Sequence, residues 1–298
     1  MNALPVAPRR PLVIFNPTAG NRRRRRLERF LSALRAGGAS PRVCETRKVG
    51  DARAFACSAA AAGNDAVLVA GGDGTINEAI NGLLDSGAAL PLGLLPLGTA
   101  NVLAIELGLP RRPAAAAAVV LRNRRLPICL GVAGNRAFAL MAGIGFDAAV
   151  VANLDPVRKR RLRQGAYALE TIVQAFRFGF PRYQVVTAEG ARFEARSVIA
   201  CRASRYGGPF TLAPRASLQR STFTLVLFES AGPLAVLRFS FALLLGRMHA
   251  CRGVRMVETA GAEIAGPVGE AAQGDGDLIA TLPLRLAVRP AALEILIP

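Results

Sequence analysis

Apolar residues follow two rhythms along this chain. In residues 1–125, short unbroken runs alternate with stretches in which apolar residues recur every third or fourth position. The runs are Pro11 to Phe15, Ala66 to Ala70 and Leu92 to Pro96, and Arg42 to Thr46 looks like a further strand. Runs of this length without polar alternation predict strands covered on both faces, and the helices between them are what cover them. Asp51 to Ala62 reads as an Ala-rich helix with an acidic start. Another begins near Thr75, with Ile76, Ala79, Ile80 and Leu83 on its apolar face and Asn77, Glu78 and Asn81 on the other. Ala114 to Leu121 predicts a third, after the break at 108–113. Strands alternating with helices predict an α/β domain.

Beyond Arg125 the rhythm shortens. Ile128 to Val132, Ala137 to Ala142, Tyr183 to Val186, Ser197 to Cys201 and Phe223 to Phe228 have the spacing of antiparallel strands in a mainly-β sandwich or barrel. Tyr167 to Phe178 is the chief helix here, its apolar residues expected to line the sandwich interior. Leu234 to His249 predicts a helix read first as core. The alternative is a membrane-facing helix, with Phe239, Phe241 and residues 243–245 beside Arg238 and Arg247. The last strand, Ala292 to Ile297, is expected to return to the first domain. At 298 residues the chain suits two domains. The expected division is 1–125, with 287–298 returning, and 126–286.

The chemistry concentrates where the buried strands end. Ala66 to Ala70 runs into Gly71-Gly72-Asp73-Gly74-Thr75-Ile76-Asn77. Three glycines in four residues strip away side chains, so that successive N–H groups and a helix N-terminus can face one anion. Phosphate is the usual anion in such a place. A carboxylate at Asp73 would repel bare phosphate unless a divalent cation stood between them, so the loop points to a Mg-nucleotide. Thr75 is an N-cap or first-turn residue. Asn16-Pro17-Thr18-Ala19-Gly20 leaves the first strand with an open backbone. After the fourth strand, Gly98 frees a second loop, and Thr99 is expected to cap the helix that follows. Two glycine loops at the ends of neighbouring strands make a nucleotide site.

Gly71-Gly72-Asp73-Gly74-Thr75-Ile76-Asn77-Glu78 resembles the signature of the diacylglycerol kinase catalytic domain family, which includes bacterial lipid kinases, sphingosine kinases and ceramide kinases. A shorter Gly-Gly-Asp-Gly-Thr occurs in NAD kinases and relatives of phosphofructokinase. Pro96-x-Gly98-Thr99-x-Asn101-x-x-Ala104 resembles the lipid kinases instead. Gly143-Ile-Gly-Phe-Asp147 and Tyr206-Gly-Gly-Pro-Phe210 also resemble family segments.

The resemblance implies an NAD kinase/phosphofructokinase-like nucleotide-binding domain followed by a β-rich lipid domain. It implies ATP and Mg²⁺ as cofactors, with Mg²⁺ at Asp73, nucleotide contacts from residues 16–20, Thr46, 71–77, Gly98 and Thr99, and a lipid alcohol as acceptor. It also implies that a carboxylate near the C-terminus activates that alcohol. Here the segment is Asp275-Gly276-Asp277, with Asp277 where relatives carry Glu, and either aspartate is a candidate base. Relatives hold an accessory Mg²⁺ through an Asp-Gly-Leu-Leu-Asp segment. This chain has Gln219-Arg220-Ser221-Thr222-Phe223 instead, so that metal site is expected to be missing.

The net charge of +18 comes almost wholly from arginine, the only lysines being Lys48 and Lys159. With no Trp, few aromatics and no zipper, finger or RNA-binding signature, it does not indicate a specific nucleic acid. A positive field does attract an anionic membrane surface. Arg22 to Arg26 open a helix, against the helix dipole, which suits either an external anion or a solvated face. Five cysteines without Cys-x-x-Cys spacing indicate neither disulfides nor zinc. One histidine, His249, reads as a surface residue at a helix end and removes imidazole-pair chemistry. Met1 to Arg10 lacks the apolar core of a secretory signal. The expected location is the cytoplasm, peripheral at the inner membrane face, with a homodimer compatible. Two rival readings remain: a soluble-substrate kinase of NAD kinase type, and a non-catalytic lipid- or nucleotide-binding regulator.

Overall fold

Each of the four strands expected in the N-terminal part is present: β1 (Pro11–Phe15), β2 (Arg42–Glu45), β3 (Ala66–Gly71) and β4 (Leu92–Pro96). A computed structural model describes residues 7–18, 21–155 and 164–298. The chain divides into two units, Met1–Ile128 with Ala291–Pro298, and Cys129–Pro290.

In the first unit the strands pair in parallel in the order β2, β1, β3, β4. The end of the strand Leu284–Leu296 adds beyond β4, with Ile295 opposite Leu92. All residues of β1, β3 and β4 are buried, as two-sided cover requires. The helices are α1 (Asn21–Ala36), α2 (Asp51–Ser58), α3 (Asp73–Ser86), α4 (Val102–Glu106) and α5 (Pro113–Arg122).

One expectation fails in α3. Asn77 and Asn81 do not face solvent; both are buried. They stand one turn apart, and the Asn81 amide donates to Asn77 Oδ1 at 3.1 Å and to Asn77 O at 2.9 Å, so neither is stranded in the interior. Glu78 accepts the Ala52 N–H at 3.2 Å, which ties α3 to the first turn of α2. A Cβ on Gly82 would stand 2.1 Å from Arg53 O, so glycine lets these two helices meet at backbone distance.

The second unit carries an antiparallel sheet in the order Val254–Thr259, Phe223–Phe228, Ser197–Cys201, Met141–Gly145, Ala271–Gly274, Asp277–Thr281. A second layer pairs Arg192–Ala195, Tyr183–Thr187, Gly261–Ala265 and the start of Leu284–Leu296. Residues of both layers, among them Phe138, Ile144, Tyr183, Val185, Val198, Phe223, Leu225 and Leu284, form one buried cluster. Among the described residues, the helices α6 (Phe146–Ala152), α7 (Gln164–Arg177) and α8 (Pro233–Leu244) accompany them.

Neither long helix behaves as expected. Leu169, Ile172 and Phe176 of α7 are exposed rather than lining the sandwich, as are Leu234, Leu237, Phe241 and Leu244 of α8. Both helices are apolar on more than one face, and only one face of each is covered. The segment Ala137 to Ala142 is also not one strand. It breaks between Arg136–Phe138 and Met141–Gly145, because the amides at 139 and 140 turn toward a side chain described below.

Candidate active site

β1 lies between β2 and β3, so the strand order reverses beside it, and the loops leaving β1 and β3 mark the switch point where ligands enter open α/β sheets. Asn16 follows β1: its N–H donates to Ala70 O at 3.1 Å, and its side-chain amide donates to Thr75 Oγ1 at 2.9 Å. Asn16 Oδ1 accepts both the Thr18 N–H, at 3.1 Å, and the Thr18 hydroxyl, at 2.7 Å, so the start of the Asn16-Pro17-Thr18 loop is held by its own side chains. Ala19 and Gly20 lie outside the described residues. Thr46 follows β2 and is buried, its N–H on Phe15 O at 2.9 Å. The strand ends thus bring Asn16, Thr46 and Thr75 to one edge of the sheet.

The two glycine loops touch. Leu97 and Gly98 both donate their N–H groups to Gly71 O, at 2.9 and 3.2 Å. A Cβ on Gly98 would stand 2.5 Å from Gly72 Cα, and one on Gly72 would stand 3.1 Å from Gly98 Cα. Only glycine allows this backbone contact. The hydrogen bonds of α3 begin with Ile76 N to Gly72 O, so the N–H groups of Gly74 and Thr75 precede the helix's own ladder. Their position suits an anion.

Asp73 serves another partner in this structure. Its Oδ1 accepts the Leu103 N–H at 3.2 Å, which makes it the cap of α4. Burial pushes the Asp73 carboxyl above its usual range, opposed by the backbone N–H groups of Leu103, Val102 and Asn101. The N-terminus of α4 is therefore taken. Thr99 does not cap it: the N-cap is Asn101, left-handed at φ 49°, a conformation asparagine tolerates, and Thr99 is exposed. Asn101 donates to Gly98 O at 2.9 Å, closing the second loop on itself.

In the second unit, Asp275 and Gly276 are the two residues of a hairpin turn, at φ 52° and 92°, with Gly274 opposite Asp277. Asp-Gly is the expected dipeptide for a turn with both central residues left-handed. The Asp275 carboxylate accepts three backbone N–H groups, from Ala139 at 2.7 Å, Leu140 at 2.8 Å and Met141 at 3.1 Å. Those bonds break the strand at 139–140. Asp277, two residues on, is exposed at the start of the next strand.

Behind the turn lies a buried polar chain that composition and spacing did not single out as a site. Gln273 donates to Asp147 Oδ2 at 2.5 Å and accepts the Gly276 N–H at 2.9 Å, and the Tyr206 hydroxyl donates to Asp147 Oδ1. A Cβ on Gly143 would stand 1.8 Å from Asp147 Oδ2, so the first glycine of the Gly-Ile-Gly-Phe-Asp segment makes room for this carboxylate. Burial pushes the Asp147 carboxyl up, opposed by its bonds from Tyr206 and Gln273. The motif itself was the available signal.

Residues 10–133 match the family described as diacylglycerol kinase catalytic domain, and residues 141–297 match the YegS C-terminal NAD kinase beta sandwich-like domain. The chain belongs to the diacylglycerol kinase and YegS-like lipid kinase family. A protein named "Diacylglycerol kinase" from Bacillus subtilis is 30% identical over 244 residues, 80% of either chain. One named "Probable lipid kinase YegS-like" from Pseudomonas aeruginosa is 36% identical over 184 residues, 62% of this chain and 57% of that protein's length. A crystal structure of a diacylglycerol kinase from Bacillus anthracis superposes with a TM-score of 0.80 at 22% identity, over 98% of this chain and 97% of that one. That likeness shows the fold.

Among the described residues no three of His, Cys, Asp and Glu gather to hold an ion, and the Asp73 carboxylate is bonded to α4. Beside the segment that departs from the family's acidic pattern lies a buried guanidinium. Arg202 is fully buried and donates to the carbonyl oxygens of Thr222, Leu218 (3.1 Å) and Cys129 (3.3 Å), with its charge 5.8 Å from the Phe223 ring centroid. Burial lowers its pKa, as it must for a charge facing only dipoles. The site offers a cation carbonyl groups already claimed, so an accessory Mg²⁺ does not fit.

The arginine run that opens α1 is partly engaged: Arg24 pairs with Glu45 at 2.9 Å, and Arg26 donates to Arg111 O at 2.6 Å. His249 is exposed in the short turn Met248–Ala250.

Proposed function

We propose that this chain is an ATP-dependent lipid kinase that transfers the γ-phosphoryl group of ATP to the hydroxyl of a diacylglycerol-like or long-chain-base lipid. The observation that carries the reading is the backbone contact of Gly72 with Gly98 at the switch point of a parallel sheet. It leaves a side-chain-free surface beside the start of α3. The Gly74 and Thr75 amides bind the phosphates there, with Asn16, Thr18 and Thr46 along the same sheet edge placing the rest of the nucleotide. Mg²⁺ enters as part of the substrate, Mg-ATP, and neutralises charge on the transferring group. Asp73 acts mainly by fixing the second glycine loop against the first. Phosphoryl transfer asks chiefly for positioning, which glycine amides supply without histidine or cysteine.

Of the two candidate bases, Asp277 suits the role. Asp275 is held in the turn by three backbone donors, whereas Asp277 is exposed. The Asp147, Gln273 and Gly276 chain orients the turn that presents it. The first unit is read as the ATP-binding domain and the second as the lipid domain, with the protein peripheral at an anionic membrane face.

The test is labelled ATP, Mg²⁺ and mixed micelles of diacylglycerol or a sphingoid base. Labelled lipid, lost in Asp277→Asn, supports the reading. Label appearing on NAD instead would favour a soluble-substrate kinase, and nucleotide binding without turnover would favour a regulator.

A further inference from the structure

The helices α7 and α8 pack against each other through a small cluster of Ala175, Val236 and Phe180, with Phe146 and Phe178 beside it. Their opposite faces are also apolar, and these are bare. On α8, Leu234 is 83% exposed, Leu237 58% and Phe241 61%, and Leu244 and Leu245 continue the stripe at helical spacing. On α7, Ile172 is 59% and Phe176 76% exposed, one and two turns beyond the exposed Leu169. Large side chains in register on two adjoining helices are more than the scattered surface leucines that need no explanation.

The exposed charged residues that these segments carry have one sign. From Pro233 to Arg252 the chain contains no Asp or Glu, but it has Arg238, Arg247 and Arg252, all exposed. Arg177 closes α7, whose only acid, Glu170, is buried and accepts from Gln174 at 2.7 Å. None of these arginines has an ion pair among the described residues. A second copy docked face to face would oppose arginine to arginine. A partner that is apolar within and anionic at its surface matches both features at once.

We propose that the outer faces of α7 and α8 are a docking surface for an anionic bilayer, with the leucines and phenylalanines entering the acyl boundary and the arginines meeting the headgroups. It rests on the lipid kinase reading for its purpose but on this surface for its geometry. The helices lie on the membrane rather than crossing it: no described helix is long and apolar enough to span a bilayer. The docking surface would bring the enzyme to an acceptor that does not leave the membrane.

Vesicle flotation tests it, with phosphatidylcholine vesicles with and without phosphatidylglycerol. The wild-type protein is expected to float with the anionic vesicles, and the triple variant Leu237→Glu, Phe241→Glu, Leu244→Glu to lose at least about tenfold in partitioning, since each removes apolar area and adds repulsion. Arg247→Glu with Arg252→Glu should weaken binding to anionic vesicles several-fold, with the loss shrinking in high salt. Unchanged thermal midpoints and unchanged phosphorylation of a water-soluble short-chain diacylglycerol show that the variants are folded.

Wild-type protein that ignores anionic vesicles, or a triple variant that floats as well as wild type, overturns the proposal. So does a wild-type dimer that the triple variant converts to monomer, which would make a second copy the occupant. If the protein floats but phosphorylates no lipid, the kinase reading fails while the docking surface stands.

Discussion

Arg202 is the most informative residue to remove. Arg202→Met keeps most of the side-chain volume and takes away the guanidinium, leaving the Thr222, Leu218 and Cys129 carbonyls without their common donor. A buried acceptor stripped of its partner costs about 1–3 kcal/mol, so three would cost roughly 3–9 if none found another donor. Against this stands the desolvation of the charge itself, several kcal/mol that the methionine variant no longer bears. The Met stem also retains contact with Phe223. The net expectation is a loss of about 2–4 kcal/mol, which for a unit of this size lowers the melting temperature by roughly 5–15 °C. Thermal unfolding without nucleotide, in EDTA and in Mg²⁺, measures it. Wild type should melt at the same temperature in both, because the guanidinium already holds the carbonyls that a cation would seek. Arg202→Lys should fall between, since an ammonium is a point charge without the planar fork. A methionine variant as stable as wild type, or a wild type stabilised several degrees by Mg²⁺ alone, would refute the assignment of Arg202 as the cation of this loop.

Gly98→Ala places a methyl 2.5 Å from Gly72 Cα and 2.8 Å from Asn101 Oδ1, so the loops must part; the KM for ATP should rise at least about tenfold, measured in steady-state assays. The two aspartates of the hairpin should separate cleanly. Asp277→Asn should lower kcat by about 10²–10⁴ with an unchanged melting temperature. Asp275→Asn turns an amide toward donor N–H groups and should cost about 2–4 kcal/mol of stability in denaturant titrations. Asp147 predicts a pH slope. Its folded pKa is raised by burial, so above the ordinary carboxylate range the unfolded chain binds fewer protons than the folded one. Stability from this group is complete at low pH and is lost as pH rises through the folded value. Asp147→Asn should flatten that part of the melting curve against pH, and an unaltered slope would count against a raised Asp147 pKa.

The parallel strands and their glycine loops were legible because backbone needs dictate them. A run of Val, Leu and Ile without polar alternation has to be covered on both sides, and Gly72 and Gly98 can be nothing else where two backbones touch. The helices were less legible for an equally physical reason. Periodicity tells which side chains share a face but not whether that face is covered, and α7 and α8 carry apolar residues on both sides. Their apolar residues were expected to be covered, and Phe176 and Leu234 end in the open. In α3 the error ran the other way: two amides one turn apart satisfied each other, so Asn77 and Asn81 could be buried against ordinary expectation. The α4 cap was misplaced from Thr99 because a left-handed asparagine followed by a distant carboxylate leaves no local pattern.

The same limit governs the acidic residues, where it bears on chemistry. Asp73, Asp147, Asp275 and Asp277 all sit within two residues of a glycine or an aromatic in motifs of similar look, except that Asp147 lies in a Gly-Phe-Asp segment. What divides them is how many donors each carboxylate has already accepted, and those donors come from residues 30 to 136 positions away. Asp275 accepts from the strand break it creates, Asp147 from Gln273 and Tyr206, and Asp73 from α4. A carboxylate can take a proton from an alcohol only with a lone pair to offer. The turn's first aspartate thus holds the hairpin, and its second, Asp277, is exposed and is the proposed base.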